Sequence, residues 1–592
     1  MAIPGELESP NLGLTDEEER PEERKPLDEE AIVQDIYRKF ARAKYHKESV
    51  LNLLPKWQDY YDFFIGDQWK PGTPDWVPRV GPNLCKMFVE VNCAVLTSRR
   101  PEYSVRALSP APITELPGEI DPMTGMPGPP RVIDAEDIAG ITEPVLHYLW
   151  DTRGFLTATR MALKGTGIYG TGFVKVRWDE RSDDIIWEYV SPLNIFPDPL
   201  ARDVVDAKYI IEISLAYRRD LERRFNMEIE ADSLLDAQPA QEVIEKQRPP
   251  GGVVRILECW FDNGRMRALV AGQKLLTIQQ NPLGTFPYGR FVDSEYENRF
   301  FPSGIVQDVI TGQREINERR AQIHAWAKYV AWNKWRAAPG VDTRRLLSNM
   351  PNTVVQAEAG EIESLAPPSM PSYLLASPGY LLQELEVVTG IQDTTQGRRS
   401  PQLTAAAAIE RMMEASQVRI ESKAVNLEYT LSRLGYLTLA YVKMFYDDDR
   451  ILPFLDADQR KVYQAVGGIR AISDTPMVIK VQPGSTLSQS QGAMMQLGLQ
   501  LFINKAIDAE AMLDVSRWPQ RKRILERMKQ KIAGYQGIAM GAQGPSMPGS
   551  TQQPGAAPGQ PQSGGQGAFA GMSTQQLQMM QQQMARQMGR AQ

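Results

Sequence analysis

Gly165, Gly167 and Gly170 stand at G-x-G-x-x-G spacing inside LKGTGIYGTGFVKVRWD, residues 163–179. In a dinucleotide-binding enzyme that spacing follows a strand and opens a helix, whose free N–H groups cradle a pyrophosphate. Here the order is reversed: a helical pattern precedes the glycines and FVKVRWD alternates like a strand after them. The expectation is a helix that stops at Lys164, with Gly165 and Gly167 taking the left-handed conformations that end it.

Other residues capable of chemistry are scattered. His46, His147 and His324 are far apart and none begins an H-E-x-x-H pair, so zinc chemistry has no cluster to use. His147 and His324 read as packed or hydrogen-bonded side chains. The chain has neither a G-x-x-x-x-G-K-[ST] loop nor a G-x-S-x-G elbow. Asp447, Asp448 and Asp449 form a tight carboxylate run, but they follow a helix C-terminus where the dipole disfavours them, and they read as a solvated turn. No catalytic residue, metal site or cofactor is expected. Cys85, Cys93 and Cys259 are too few and too far apart for a disulfide framework or a metal clip.

Bulk composition narrows the class. The chain has 592 residues, 42% of them hydrophobic, which is enough for several packed regions, and its formal net charge is −7. An acidic total excludes a surface that clamps nucleic acid everywhere, so any such contact is local or weak. No basic start leads into an apolar segment and no run of eighteen apolar residues occurs, which points to a protein made in a cytoplasm, without a membrane span.

The elements that position these residues point to a mixed α+β, helix-rich fold. Residues 1–30 carry eleven Asp or Glu against three Lys or Arg and read as a disordered acidic arm. Helical spacing follows to about residue 64, breaks at Gly66, and resumes in NLCKMFVEVNCAVLTSRR. Residues 110–130 are too rich in Pro and Gly for either regular element, and residues 134–164 are helical. The block 253–278 alternates in two strands, with Asp262, Asn263 and Gly264 at the reversal.

Between Pro302 and Pro339 the sequence holds two Gly, Gly304 and Gly312, and no Pro, and as one continuous helix it would reach roughly 50 Å. Val309, Ile316, Ile323 and Val330 fall seven apart, a period that suits helices packing side by side between subunits; a single buried core helix is the alternative. Residues 339–371 are irregular, with short strands plausible in PNTVVQAEAGEIE. A second helix at 379–389 presents Leu381, Leu385 and Val388, and a third runs from Leu403 to about Tyr446. Past residue 535 the chain is rich in Gly, Pro, Gln and Ser. Leu577, Met580, Met584 and Met588 near its end mark one face of a terminal helix, or lie in a tail without order.

In order and spacing these segments resemble the portal proteins of tailed bacteriophages, most closely those of short-tailed phages. The resemblance is carried by WQDYYDFFIGDQW, VNCAVLTSRRPEYSVRAL, GTGIYGTGFVKVRWD, EYVSPLNIFPDPLARDVVDAKYI, PYGRFVD, IVQDVITGQREINERRAQ, TGIQDTTQGRRS and QPGSTLSQSQGAMMQLGLQLF, and it covers about residues 45–535. It implies a ring, commonly of twelve copies, at one capsid vertex, with a channel through which double-stranded DNA enters and leaves. It further implies a wing at 31–301, a first stem helix at 302–338, a clip at 339–371, a second stem helix at 372–390, a tunnel loop at 391–401, a long wing or crown helix at 402–450 and a crown at 451–535, with 536–592 as a tail. The partners so implied are the terminase large subunit, a head-completion or tail adaptor protein, and the major capsid and scaffolding proteins.

A channel must guide a polymer carrying one charge per roughly 1.7 Å without holding it, so mixed charges such as Arg314, Glu315, Glu318, Arg319 and Arg320 suit weak contact. Arg398 and Arg399, with Gln396 beside them, are the candidates for direct DNA contact, because a loop bounded by Gly390 and Pro401 can project into a lumen; the alternative is a solvated loop paired with Glu residues. Lys328, Lys334 and Arg336 either touch phosphate or complement a helix dipole. Arg344, Arg345, Glu361 and Glu363 are the candidates for docking the motor at the clip. Another non-enzymatic virion protein, such as a scaffold or minor capsid protein, is the rival reading, and an enzyme using the opening glycines is a third.

Overall fold

Acidic Glu29 and Glu30 in the first turn and basic Arg42 and Lys44 in the last match the dipole of α1 (Glu29–Tyr45), which buries Val33, Ile36, Phe40 and Ala43 along one stripe. The computed structural model describes residues 29–70, 72–75, 77–108, 114–116, 131–229, 252–331, 334–339, 358, 360, 362–365, 369–391, 406–455, 457–465, 468, 469, 472, 475–485, 498–504 and 512. By compactness the chain divides into Met1–Gln489 and Ser490–Gln592. In the second unit residues 498–503 are helical, and the elements below belong to the first. The acidic arm up to residue 28 and the tail with Leu577, Met580, Met584 and Met588 lie outside the described residues.

A π-helical turn, His46–Val50, leads from α1 to α2 (Leu53–Ile65), which Gly66 closes at φ 101°. Asn83 caps α3 (Leu84–Leu96) by accepting the Lys86 N–H. Strands β1 (Tyr103–Ala107), β2 (Thr114–Leu116) and β3 (Arg131–Ile133) follow. β2 pairs with β3, so part of the Pro-rich 110–130 stretch is regular after all, because three residues without Pro or Gly suffice for a short ladder. Residues 134–164 form two helices, not one. The reciprocal box of Asp134 and Asp137 starts α4 (Ala135–Thr152), and Gly154 at φ 69° separates it from α5 (Phe155–Tyr169).

The glycine triplet corrects the sequence reading in one respect. Gly165 and Gly167 lie inside α5, and Gly170, at φ 85°, ends it. A Cβ on Gly167 would stand 2.8 Å from Val89 and one on Gly165 would stand 2.9 Å from the Tyr189 hydroxyl, so both glycines serve close packing. Strand β4 (Thr171–Asp179) then follows the helix, the reverse of a dinucleotide-binding turn.

β4 is the middle of a three-stranded antiparallel sheet, between β11 (Tyr288–Val292) and β5 (Asp184–Val190). The second sheet is built from β6 (Ile195–Pro197), β7 (Ile210–Tyr217), β8 (Val253–Phe261), β9 (Met266–Ala271) and β10 (Lys274–Gln280), in the antiparallel order β10-β9-β8-β7-β6. Helix α6 (Arg218–Phe225) connects β7 to the segment before β8. Asp262, Asn263 and Gly264 turn β8 into β9 with φ of 52°, 54° and 86°, as their types require.

Buried Lys175 of β4 ties the two sheets together, 2.8 Å from Glu212 of β7 and 2.5 Å from Glu258 of β8. Burial disfavours the Glu258 charge, but Lys175 and Arg267 outweigh it and hold its carboxyl below the ordinary range. Glu212, with both burial and the Glu258 charge against it, is pushed up.

Five further helices complete the described first unit: α7 (Ile305–Ala331), α8 (Ser372–Thr389), α9 (Ala406–Phe445), the short α10 (Asp448–Ile451) and α11 (Ala457–Ala465). β12 (Lys334–Ala337) pairs with β13 (Ile362–Leu365), and β14 (Met477–Val481) pairs with β1. α9 sends Leu427, Leu431, Leu434 and Leu437 into one hydrophobic core, while α2, α3, α7 and α8 share another. The Asp447–Asp449 run follows the end of α9 and is exposed, as expected, but it opens a short helix instead of a turn. Asp447 stands at the N-cap of α10, and Asp448 accepts from the Tyr463 hydroxyl and the Ile469 N–H, both at 2.8 Å. His147 is packed beside Tyr103, whose N–H donates to its Nε2, whereas His324 is exposed, contrary to expectation.

Candidate functional site

Apolar residues recur along one side of α7, and there Ile305, Val306, Val309, Ile310, Ile316 and Ala321 are buried. Gln313, fully buried among them, accepts the Leu84 N–H at 2.9 Å and donates to Pro82 O at 2.8 Å, which satisfies the N-terminus of α3. It also donates to Asn317, which in turn donates to Gln68 at 2.7 Å. Arg314 pairs with Asp59 and stacks its guanidinium over Phe63.

At its head α7 abuts the tail of α5 with no side chain between them. A Cβ on Gly304 would stand 2.4 Å from Thr166 O and 2.8 Å from Gly167 O, and one on Gly170 would stand 2.0 Å from Pro302 O. The partly positive start of one helix therefore faces the partly negative end of the other.

The rod is shorter than its sequence suggests. α7 has 27 residues, about 40 Å at 1.5 Å per residue, and ends at Ala331. Lys328 is in its last turn, but Lys334 and Arg336 lie on β12, where no helix dipole is available to them. β-branched and aromatic neighbours do not decide this; the partner strand does, with Lys334 opposite Leu365 and Arg336 opposite Glu363. Arg336 and Glu363 are both exposed, so a candidate for the channel and a candidate for the clip face each other across one ladder.

The proposed subunit stripe divides. Val309 and Ile316 are 0% and 2% exposed inside this chain's own core, so their apolar surface is already covered. Ile323 and Val330 are only half-buried.

α8 begins at Ser372, earlier than the apolar spacing alone suggests, and runs through Pro378. Leu381, Leu382 and Leu385 pack into the core shared with α7, while Val388 faces outward, 52% exposed. Gly390 ends α8 at φ 74°, its N–H donating to Glu386 O, and Ile391 is buried immediately after it. The next described element is α9, so Gln396, Arg398 and Arg399 lie outside the described residues, as do Arg344, Arg345 and Glu361.

The charges of α7 sort into paired and unpaired. Arg314 goes to Asp59 and Arg319 to Glu315 at 3.4 Å. Arg320, His324 and Lys328 stand four apart, are all exposed, and have no ionic partner among the described residues. That basic stripe was missed in the sequence, although its i, i+4, i+8 spacing was there to read. Among the described residues no group of three or more His, Cys, Asp or Glu could hold a metal ion, and no helix is long and apolar enough to cross a membrane.

Residues 263–592, more than half of the chain and inclusive of α7, the β12–β13 ladder, α8 and α9, match the family model described as Phage P22-like portal protein. No curated protein matches the chain.

Proposed function

The chain belongs to the phage P22-like portal protein family, a structural and non-enzymatic component of the virion, and from that premise we propose that its copies close into a ring around a DNA channel at one capsid vertex. Twelve is the number the family resemblance favours. α7 and α8 form the stem, the β12–β13 ladder and residues 339–371 form the clip, and residues 391–401 form a loop that brings Gln396, Arg398 and Arg399 to passing DNA. The terminase large subunit docks at the clip during packaging, through Arg344, Arg345, Glu361 and Glu363, and a head-completion or tail adaptor protein takes its place afterwards. Major capsid and scaffolding proteins surround the ring.

One observation carries this reading: α7 and α8 share a core, with a two-stranded ladder in the connection between them, and Gly390 ends the second helix with Ile391 buried directly after it. The charge pattern supports the channel. Two of the four Lys or Arg of α7, Arg314 and Arg319, are neutralised by Asp59 and Glu315, which leaves the sparse stripe of Arg320, His324 and Lys328 to touch phosphate weakly, so that DNA slides instead of sticking. Imaging of the purified full-length chain by negative-stain electron microscopy tests the proposal. Closed rings with a central hole wide enough for a duplex are expected; a stable lone chain, or a closed oligomer without a passage, overturns it.

A further inference from the structure

A concave pocket of about 330 Å³ opens where the π-helical turn and α2 meet the segments that follow β6 and precede α7. Its floor is aromatic: Trp57 and Phe301 meet edge to face with centroids 5.3 Å apart. Directly behind that floor lies the Lys47 ammonium, 5.2 Å from the Trp57 ring and 5.3 Å from Phe301. It donates to three backbone carbonyls, Pro192 O at 2.7 Å and Leu193 O and Ile195 O at 2.9 Å, and makes no salt bridge among the described residues. Burial pushes its pKa well below the ordinary lysine value, yet three acceptors require three N–H donors, which only the ammonium form has.

At the rim Lys56 and Arg299 are exposed and carry no ionic partner among the described residues. The one carboxylate in the lining, Asp198, is buried and accepts the Leu200 N–H. The pocket is therefore a cationic rim over an apolar floor that has a positive charge beneath it.

We propose that this pocket receives the acidic N-terminal arm of the chain, residues 1–28. The arm carries nine Asp or Glu against three Lys or Arg, and its densest run, Asp16–Glu19, directly follows Leu12 and Leu14. Leucine suits the aromatic floor and the carboxylates suit Lys56 and Arg299. The arm enters α1 at Glu29, and α1 leads without interruption into the turn that walls the pocket. With 17 residues α1 spans about 25 Å. The thirteen residues from Asp16 to Glu29 reach up to about 45 Å when extended, so the run reaches the pocket of its own or a neighbouring copy.

Zero-length carbodiimide coupling of the full-length chain, read by peptide mass spectrometry, tests this. Lys56 is expected to couple to Asp16–Glu19. That product should fall about two- to fivefold in 1 M salt and in Arg299→Glu, the range expected for an exposed ion pair. Tryptic cleavage after Arg24, the one Lys or Arg of the arm not followed by Pro, should accelerate by the same factor, while the thermal midpoint stays unchanged. Arg299→Lys should retain the coupling. Lys56 coupling only to carboxylates outside residues 1–28, or an arm product indifferent to both salt and Arg299→Glu, overturns the proposal. So does protection of Lys56 that appears only when duplex DNA is added, which would assign the pocket to phosphate.

Discussion

Leu385 of α8 occupies a notch left by Gly312 of α7: a Cβ at position 312 would stand 2.7 Å from the leucine Cδ2. Gly312→Ala leaves the flexible end of Leu385 room to turn and gains roughly 1 kcal/mol of helix propensity, so it should be near neutral. Gly312→Leu cannot be absorbed that way. It should wedge the two helices apart and lower stability by about 1–3 kcal/mol, measured as a fall in the thermal unfolding midpoint.

Ile316 and Ile323 share a seven-residue spacing but not a fate. Ile316→Asp places an unpaired carboxylate in the core and should cost at least about 3 kcal/mol, which would appear as insoluble or unfolded chain. Ile323→Asp should leave the circular dichroism spectrum and unfolding midpoint of the protomer nearly unchanged while sedimentation detects single chains. Rings that survive Ile323→Asp would remove this stripe from the subunit interface.

That contrast shows what the sequence can and cannot convey. The period of α7, the alternation of β4 and β8, and the turn at Asp262–Gly264 are local properties, and each was legible. The end of α7 was not, because Lys334–Ala337 reads as a continued helix until β13, nearly thirty residues later, supplies a ladder for it. The stop of α5 was misplaced by five residues because Gly165 and Gly167 tolerate the helix and answer instead to Val89 and Tyr189, which are distant in sequence. For the candidate site, the types and order of the helices were visible, but which cations of α7 remain unpaired depended on Asp59 in α2.

All three thiols are buried, and burial pushes those of Cys85 and Cys259 up to about 12 and raises that of Cys93. In the unfolded chain the same thiols lose their protons near pH 8.5. Above that pH the folded chain holds more protons than the unfolded one, so stability falls as pH rises. The thermal midpoint should decline steadily between about pH 8.5 and 11, and Cys85→Ala with Cys259→Ala should flatten the decline. A flat profile in the unmodified chain would contradict the burial of these thiols.

Arg398→Ala with Arg399→Ala should change the amount of genome packaged or retained while ring number and diameter stay the same. Arg320→Ala with Lys328→Ala should act in the same direction, because in the proposed channel both pairs would offer weak charge to a passing duplex. Packaging and retention equal to the parent in both double variants would place the DNA path elsewhere.

The seating of α7 on α5 has a mechanical consequence. With bare backbone against bare backbone at Gly170 and Gly304, nothing compressible lies in the joint. A thrust along the α7 axis therefore passes through that joint, backbone on backbone, into the sheet that α5 supports.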